Sequence, residues 1–534
     1  MRGRMMEMPL LVSSLIEHAG AVYGDRPVVS RSVEGPVVQA TWREVRDRAR
    51  RLAGALQNRG IGRADRLATL AWNTQRHLEV YYGASGMGAV CHTLNPRLHP
   101  GELAYIMDHA QDRVLFVDTT FLPLAEALAD RVPVETWVVL TDDEHMPATT
   151  LPDAVSYEAL LAEYDGEWTW PALDEYDAAS LCYTSGTTGD PKGVLYSHRS
   201  TVLHAWGVSL PDVFMLGTAE TILPIVPQFH ANAWGIPYAA ALTGAKLVQP
   251  GPRLDPAGLT ELLTDEEVTC CAGVPSVFLP LVAAWRKAGS APPSLKRVLI
   301  GGSAPPQSLI EALEGEFGIE FFHGWGMTEM SPLGSVNRLT PAMRARPVAE
   351  RARFQTKQGR APFGVEMRIV DRDGGELPRD GQAFGELQVR GPWVAAGYFR
   401  DDAEIVTDDG WFPTGDVATI DPAGYMQVTD RTKDLIKSGG EWISSIDVEN
   451  TAMGHPSVAM AAVIGIPDEK WGERPLLVAV AAEGADADSD GVLAFLAEHM
   501  ASWQVPDRVE WLDALPMGGS GKVQKNLLRE RFGG

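Results

Sequence analysis

From the N-terminus to about residue 310, short apolar runs rich in β-formers alternate with amphipathic helical stretches. This alternation restricts the architecture more than any other feature. Arg66-Leu67-Ala68-Thr69-Leu70-Ala71-Trp72 and Arg113-Val114-Leu115-Phe116-Val117-Asp118 each read as a buried strand. Residues 44–59 carry apolar side chains at Val45, Ala49, Leu52, Ala53 and Leu56, the spacing of one helix face. Arg297-Val298-Leu299-Ile300 reads as a further strand, ending in Gly301-Gly302-Ser303, with a helix expected from about Pro306. Strands separated by helices predict an α/β fold with doubly wound, mostly parallel sheets.

The alternation fades after about residue 360. Asp421-Pro422-Ala423-Gly424 joins two short strand-like runs, 417–420 and 425–429, which predicts a hairpin in a β-rich subdomain. The last hundred residues read as a separate small α+β unit, with strands at 461–465 and 476–480, a helix at 492–500 and a turn-rich tail. The charged run Asp430-Arg431-Thr432-Lys433-Asp434 marks the boundary. The expected organisation is therefore a large unit at 1–429, a connection at 430–433 and a small unit at 434–534. With 534 residues, 45% of them apolar, the chain is long enough for roughly three or four folding units.

Composition excludes several classes of partner. A net charge of −24 argues against broad binding to nucleic acid or anionic lipid, which need a basic surface. No apolar stretch reaches the ~18–20 residues of a membrane span, so no stable membrane insertion is expected. Met1-Arg2-Gly3-Arg4 is basic, but no long apolar region follows it, and Glu17 and His18 interrupt what there is. The four cysteines (Cys91, Cys182, Cys270, Cys271) make neither a disulfide framework nor a zinc spacing. The expectation is a soluble enzyme of a reducing, cytoplasmic compartment.

Chemistry concentrates in Tyr183-Thr184-Ser185-Gly186-Thr187-Thr188-Gly189-Asp190-Pro191-Lys192-Gly193, where seven of eleven residues are Gly, Ser or Thr. It follows the strand-like Ser180-Leu181-Cys182. Such a loop lets backbone N–H groups and hydroxyls converge on an anion, and Lys192 adds a positive charge. It is not a Walker A loop, because Lys192 sits between Pro191 and Gly193 rather than after glycine and before Ser or Thr. A phosphate-binding loop is the reading these residues support.

At this point the sequence resembles the adenylate-forming acyl-CoA synthetases, relatives of luciferases and of the adenylation domains of peptide synthetases. The resemblance runs along essentially the whole chain through further segments in order. These are Pro227-Gln228-Phe229-His230-Ala231-Asn232-Ala233-Trp234, Gly301-Gly302-Ser303-Ala304-Pro305, Gly324-Trp325-Gly326-Met327-Thr328-Glu329, Trp411-Phe412-Pro413-Thr414-Gly415-Asp416, residues 430–440, and Gly518-Gly519-Ser520-Gly521-Lys522-Val523-Gln524-Lys525. It implies ATP and coenzyme A as cosubstrates, Mg²⁺ as the metal, a small carboxylic acid as the third reactant, and a homodimer.

By this resemblance Thr184, Ser185, Gly186, Thr187, Thr188, Gly189 and Lys192 hold the phosphates. Gly302, Ser303, Gly324, Trp325, Gly326, Met327 and Thr328 border adenine and the acyl-adenylate. Asp416 takes the ribose hydroxyls; taken alone it reads equally as a turn aspartate. Arg431 touches the ribose and Lys433 is the pivot of a swinging C-terminal unit. Gly439, Gly440, Glu441 and Trp442 line the pantetheine path. Thr184 and Glu329 offer the oxygen ligands that Mg²⁺ takes beside nucleotide phosphates. Lys522 is the catalytic lysine, set in a small-residue loop before a basic tail (Lys525, Arg529, Arg531). His230, by itself a plausible core histidine, becomes an acyl-pocket residue, as do Trp234 and Trp206, with Gly301 and Gly326 beside the acyl group; these tryptophans read equally as plain core.

The implied reaction has two steps: acyl-AMP formation with release of pyrophosphate, then thioester formation with release of AMP. The surroundings of Trp234, Trp325 and 439–445 look most like the fatty acyl-CoA synthetase and 3-methylmercaptopropionate-CoA ligase branch. A pocket crowded by tryptophans favours a short-to-medium aliphatic acid, 3-methylmercaptopropionate included, with long-chain fatty acids as the alternative. A luciferase-like oxygenase or a stand-alone adenylation enzyme shares the same motifs. No Gly-x-Ser-x-Gly elbow points to a serine hydrolase.

Overall fold

The computed structural model describes all residues except 2, 185–189, 432, 433, 435, 439, 440, 519–522 and 534, and the side chains of 441 and 442. Two large sheets dominate the N-terminal part. One has seven strands, in the order Val155–Ser156, Thr136–Val139, Asp112–Val117, Arg66–Leu70, Val90–Thr93, Ala178–Tyr183 and Gly193–Ser197. Only its last pair is antiparallel. The other has eight, running from Leu333–Asn337 through Glu320–Gly326, Arg297–Gly301, Cys270–Gly273, Thr221–Pro224, Lys246–Gln249 and Pro27–Arg31 to Val37–Thr41. Its interior pairs are parallel and its two edge pairs antiparallel.

The central strands are apolar along their length because both faces are covered. Helices Val12–Val22, Trp42–Asn58, Gln75–Gly86 and Ile236–Thr243 lie between the two sheets and share one apolar cluster with the facing strands. Helices Pro256–Asp265 and Pro275–Ala288 cover the outer face of the eight-stranded sheet. Pro100–Ala110 and Leu122–Leu128 cover that of the other. Trp42–Asn58 follows its sequence pattern closely. Thr41 and Glu44 form a reciprocal capping box, and Val45, Ala49, Leu52, Ala53 and Leu56 are all buried.

A four-stranded antiparallel sheet follows, Glu366–Val370, Phe384–Arg390, Phe412–Ile420 and Met426–Arg431. The hairpin expected at 421–424 is there. Beyond it, strands Val458–Asp468 and Gly472–Ala481 pair antiparallel, and each face of their sheet has its own core. Asp430 and Arg431 are the end of strand Met426–Arg431, so the β-rich sheet reaches into the charged run. The turn-rich tail also holds strand Val509–Trp511 and helix Lys525–Phe532. In that helix only Leu528 is buried, so its sequence carries almost no apolar periodicity.

Candidate active site

The large sheets, the antiparallel sheet and the C-terminal unit enclose one cleft of about 1700 Å³. Its position follows from the parallel sheets, since ligands in such folds collect beyond the carboxyl ends of the strands. Strand Ala178–Tyr183 delivers Thr184 to the cleft, and the Thr184 N–H donates to the Lys192 carbonyl (2.9 Å), closing the base of the glycine-rich loop. The Lys192 ammonium lies 4.7 Å from the centre of the Tyr398 ring and 3.6 Å from Asp401.

Strand Glu320–Gly326 delivers the next group. Gly324, Trp325, Gly326, Met327, Thr328 and Glu329 all line the cleft. A side chain at Gly326 would run into the Pro332 carbonyl, so the backbone fold-back here requires glycine. The Thr328 carbonyl accepts from the Tyr196 hydroxyl (2.6 Å), and the Glu329 carbonyl from the Ala395 N–H (2.7 Å). The Tyr398 hydroxyl donates to Glu329 Oε1 at 2.8 Å. Burial, reinforced by the Glu329 charge, raises the Tyr398 phenol pKa and keeps it a donor. Glu329 is only 7% exposed, and this bond orients its carboxylate at the cleft. Together with the Thr184 hydroxyl it makes an all-oxygen donor pair, a set that fits Mg²⁺ next to phosphate oxygens.

Asp416 stands in strand Phe412–Ile420 and also lines the cleft. It accepts from the Trp325 indole N–H (3.0 Å) and faces Arg431 Nε at 3.5 Å. Gly301, Gly302 and Ser303 also line the cleft, at the end of Arg297–Gly301. His230 and Trp234 border its apolar side with Val208, Phe214, Leu333 and Val336. Residues 231–234 all have positive φ, between 42° and 57°. A left-handed turn of non-glycine residues costs roughly 1–2 kcal/mol per residue.

Trp206 does not join them: it is 47% exposed on helix His198–Ser209, and that helix turns other residues inward. Ser185, Gly186, Thr187, Thr188, Gly189, Lys433, Gly439, Gly440 and Lys522 lie outside the described residues. So do the side chains of Glu441 and Trp442, whose backbone forms strand Glu441–Ile443. The flanks of the Lys522 loop are described. Met517 and Val523 form an antiparallel bridge, and both line the cleft with Gly518. The N-terminal and C-terminal units therefore face each other across one cavity.

Sequence reasoning missed Tyr398, Asp401 and Asn232. Tyr398 lies in a short, mostly apolar stretch, Trp393 to Phe399, with no periodicity or spacing to single it out. It also missed a largely buried charged cluster on the C-terminal side of the cleft. Lys525 contacts Glu449 (2.7 Å) and the Ser445 hydroxyl (2.6 Å), and the Ser445 N–H donates to Asp430 (2.6 Å). Burial works against the Lys525 charge, but Glu449, Asp430 and Asp434 outweigh it and raise its pKa.

The AMP-binding enzyme family matches residues 16–399, and its AMP-binding enzyme C-terminal domain matches 447–522. The chain belongs to the AMP-binding enzyme family. It is 50% identical to the 3-methylmercaptopropionyl-CoA ligase of Ruegeria lacuscaerulensis, over 100% of this chain and 99% of that one. It is 48% identical to the medium-chain-fatty-acid–CoA ligase of Ectopseudomonas oleovorans, over 100% and 98%. Among solved structures, ATP-bound MatB from Rhodopseudomonas palustris superposes with a TM-score of 0.82 at 26% identity, covering 97% of this chain and 99% of that one. The expected α/β fold and the resemblance read from the motifs agree with these relatives.

Proposed function

We propose that this protein is an ATP-dependent acid–CoA ligase that works through an acyl-adenylate. The observation that carries the reading is the shared cleft. Thr184 at the mouth of the glycine-rich loop, Glu329, Asp416 and the apolar wall at His230 and Trp234 all open onto it. A nucleotide and a carboxylic acid can therefore meet in one place.

In the first step a carboxylate oxygen attacks the α-phosphorus, an O–P bond forms, and pyrophosphate leaves. In the second the coenzyme A thiolate attacks the acyl carbon, the C–O bond to AMP breaks, and AMP leaves. Negative charge accumulates in both steps, so catalysis is chiefly positioning and cation supply. The loop N–H groups and Lys192 hold the phosphates, and Asp416 and Arg431 hold the ribose. Thr184 and Glu329 would hold Mg²⁺, which neutralises phosphate charge when bound. Lys522 reaches the reacting carboxylate and α-phosphate. The C-terminal unit, 434–534, then turns about 430–433, with Lys433 as pivot, so that 439–442 border the pantetheine arm.

The acid is short to medium and aliphatic, 3-methylmercaptopropionate included. The apolar side of the cleft (Val208, Phe214, Trp234, Leu333 and Val336) suits an uncharged chain. The names of the two relatives at 50% and 48% identity point the same way. A panel of aliphatic acids of increasing length, assayed for AMP release with coenzyme A present, tests this. Turnover should peak among short and medium chains; a maximum at long-chain acids would replace the substrate assignment. The proposal extends to a cytoplasmic location and a homodimer. Among the described residues no helix is long and apolar enough to cross a membrane, and sedimentation tests the dimer.

A further inference from the structure

Residues 231–234 form a left-handed turn. Their φ values are 42°, 52°, 49° and 57°, and Gly235 continues at 71°. Two short-range bonds close it, Ala233 N–H to the His230 carbonyl (3.1 Å) and Gly235 N–H to the Asn232 carbonyl (3.0 Å). Only Asn among these four side chains visits this region with ease; Ala and Trp do not. The surrounding structure must therefore impose the turn.

The side chain that does so is Asn232, 3% exposed and directed away from the cleft. Its amide Nδ2 donates to the Ser180 hydroxyl at 2.8 Å. Its Oδ1 accepts from the Cys182 thiol at 3.3 Å and lies 3.4 Å from the Tyr81 hydroxyl. Burial pushes the Cys182 thiol up to about 11, so it keeps the proton it donates. The far end of the turn is pinned as well. A side chain at Gly235 would overlap the His204 ring, and His204 Nε2 accepts the Leu333 N–H (3.1 Å).

Ser180 and Cys182 belong to Ala178–Tyr183, the strand that leads directly into Thr184. On the other side of the turn, His230, Ala231 and Trp234 face the cleft. We infer that Asn232 is a positioning residue for the carboxylic acid: it ties the left-handed turn to the phosphate-loop strand and so sets where His230 and Trp234 stand relative to the nucleotide. This rests on the acid–CoA ligase reading for its substrate, but the tie itself is a matter of geometry.

The test uses the full-length enzyme with Asn232→Gly, which permits the left-handed backbone and removes all the side-chain bonds, beside Ser180→Ala, which removes one. For Asn232→Gly the KM for the acid should rise roughly tenfold while the KM for ATP stays within about twofold. Its ranking of acids by chain length should flatten. Ser180→Ala should move the same quantities in the same direction by less, and it serves alone if Asn232→Gly does not fold. Unchanged acid KM and ranking in a variant with only a lowered melting temperature would overturn the proposal. If the wild type joins no acid to AMP, the functional reading fails instead. The tie is then judged from a crystal structure of Asn232→Gly, where a displaced Trp234 supports it and an unmoved 230–234 segment overturns it.

Discussion

Tyr398 shows how a residue with no chemistry of its own can decide the behaviour of one that has it. Its hydroxyl holds the Glu329 carboxylate at 2.8 Å, and its ring meets Lys192, so one side chain spans the loop lysine and the acid. Tyr398→Phe removes a charge-assisted bond and leaves the ring, so kcat/KM for ATP should fall about tenfold with the melting temperature nearly unchanged. Steady-state kinetics with ATP varied checks this. Asp416→Ala should raise the KM for ATP by about ten- to a hundredfold, since the Trp325 and Arg431 contacts lose their acceptor with the ribose. Isothermal titration with a non-hydrolysable ATP analogue is the direct check. At this scale the sequence was legible where chemistry needs a residue type in a fixed frame: Thr184, Glu329 and Asp416 all reach the cleft. Trp206 fell outside because an aromatic near a motif on a helix can face either way, and its position turns it to solvent.

Individual elements were legible in proportion to their periodicity. Trp42–Asn58 and the central strands bury the faces their spacing marks, whereas Lys525–Phe532 buries one leucine and went unseen. The left-handed turn at 231–234 could not be read at all, because it depends on bonds from Asn232 to a strand 50 residues earlier. Elements also set how the fold responds to acid. Burial holds His77, His198 and His323 down to about 4 and His204 to about 3. His198 and His204 each accept a backbone N–H, from Val12 and Leu333, which requires the neutral ring. Their folded values lie below the ordinary ~6.5 of an unfolded histidine, so the unfolded chain binds more protons below that pH. Stability is thus full above about pH 6.5 and lost progressively as pH falls towards about 4. Asp118, raised to about 7 by burial, Asp447, raised to about 6, and Asp112, Asp430 and Glu449, also raised by burial, oppose this, whereas Glu34 and Glu158, which burial would raise but Arg76 and Arg48 hold down, add to it. Melting curves between pH 7.5 and pH 4.5, on the order of the window set by these groups, should show a falling midpoint; a flat profile would contradict the burial argument.

For the whole molecule the question is how one cleft serves two reactions. The C-terminal unit has its own cores on both faces of its sheet, and the flanks of the Lys522 loop line the same cavity as Thr184 and Glu329. In the sequence the texture changes near 360 and a charged run stands at 430–434; that Asp430 would be buried and bonded to Ser445 was not legible there. Lys522→Ala should abolish adenylate formation and spare thioester formation from supplied acyl-AMP, whereas equal loss of both in a folded variant would refute the division of labour. Lys433→Pro should impair one half-reaction selectively, read as pyrophosphate exchange against thioester release. The most direct test of the central claim follows oxygen. The enzyme is given a medium-chain acid labelled with ¹⁸O in its carboxylate, with ATP and coenzyme A, and the products are analysed by mass spectrometry. The account predicts that one labelled oxygen of the carboxylate appears in AMP and the other in the thioester; label in pyrophosphate, or AMP free of label while thioester accumulates, would contradict it.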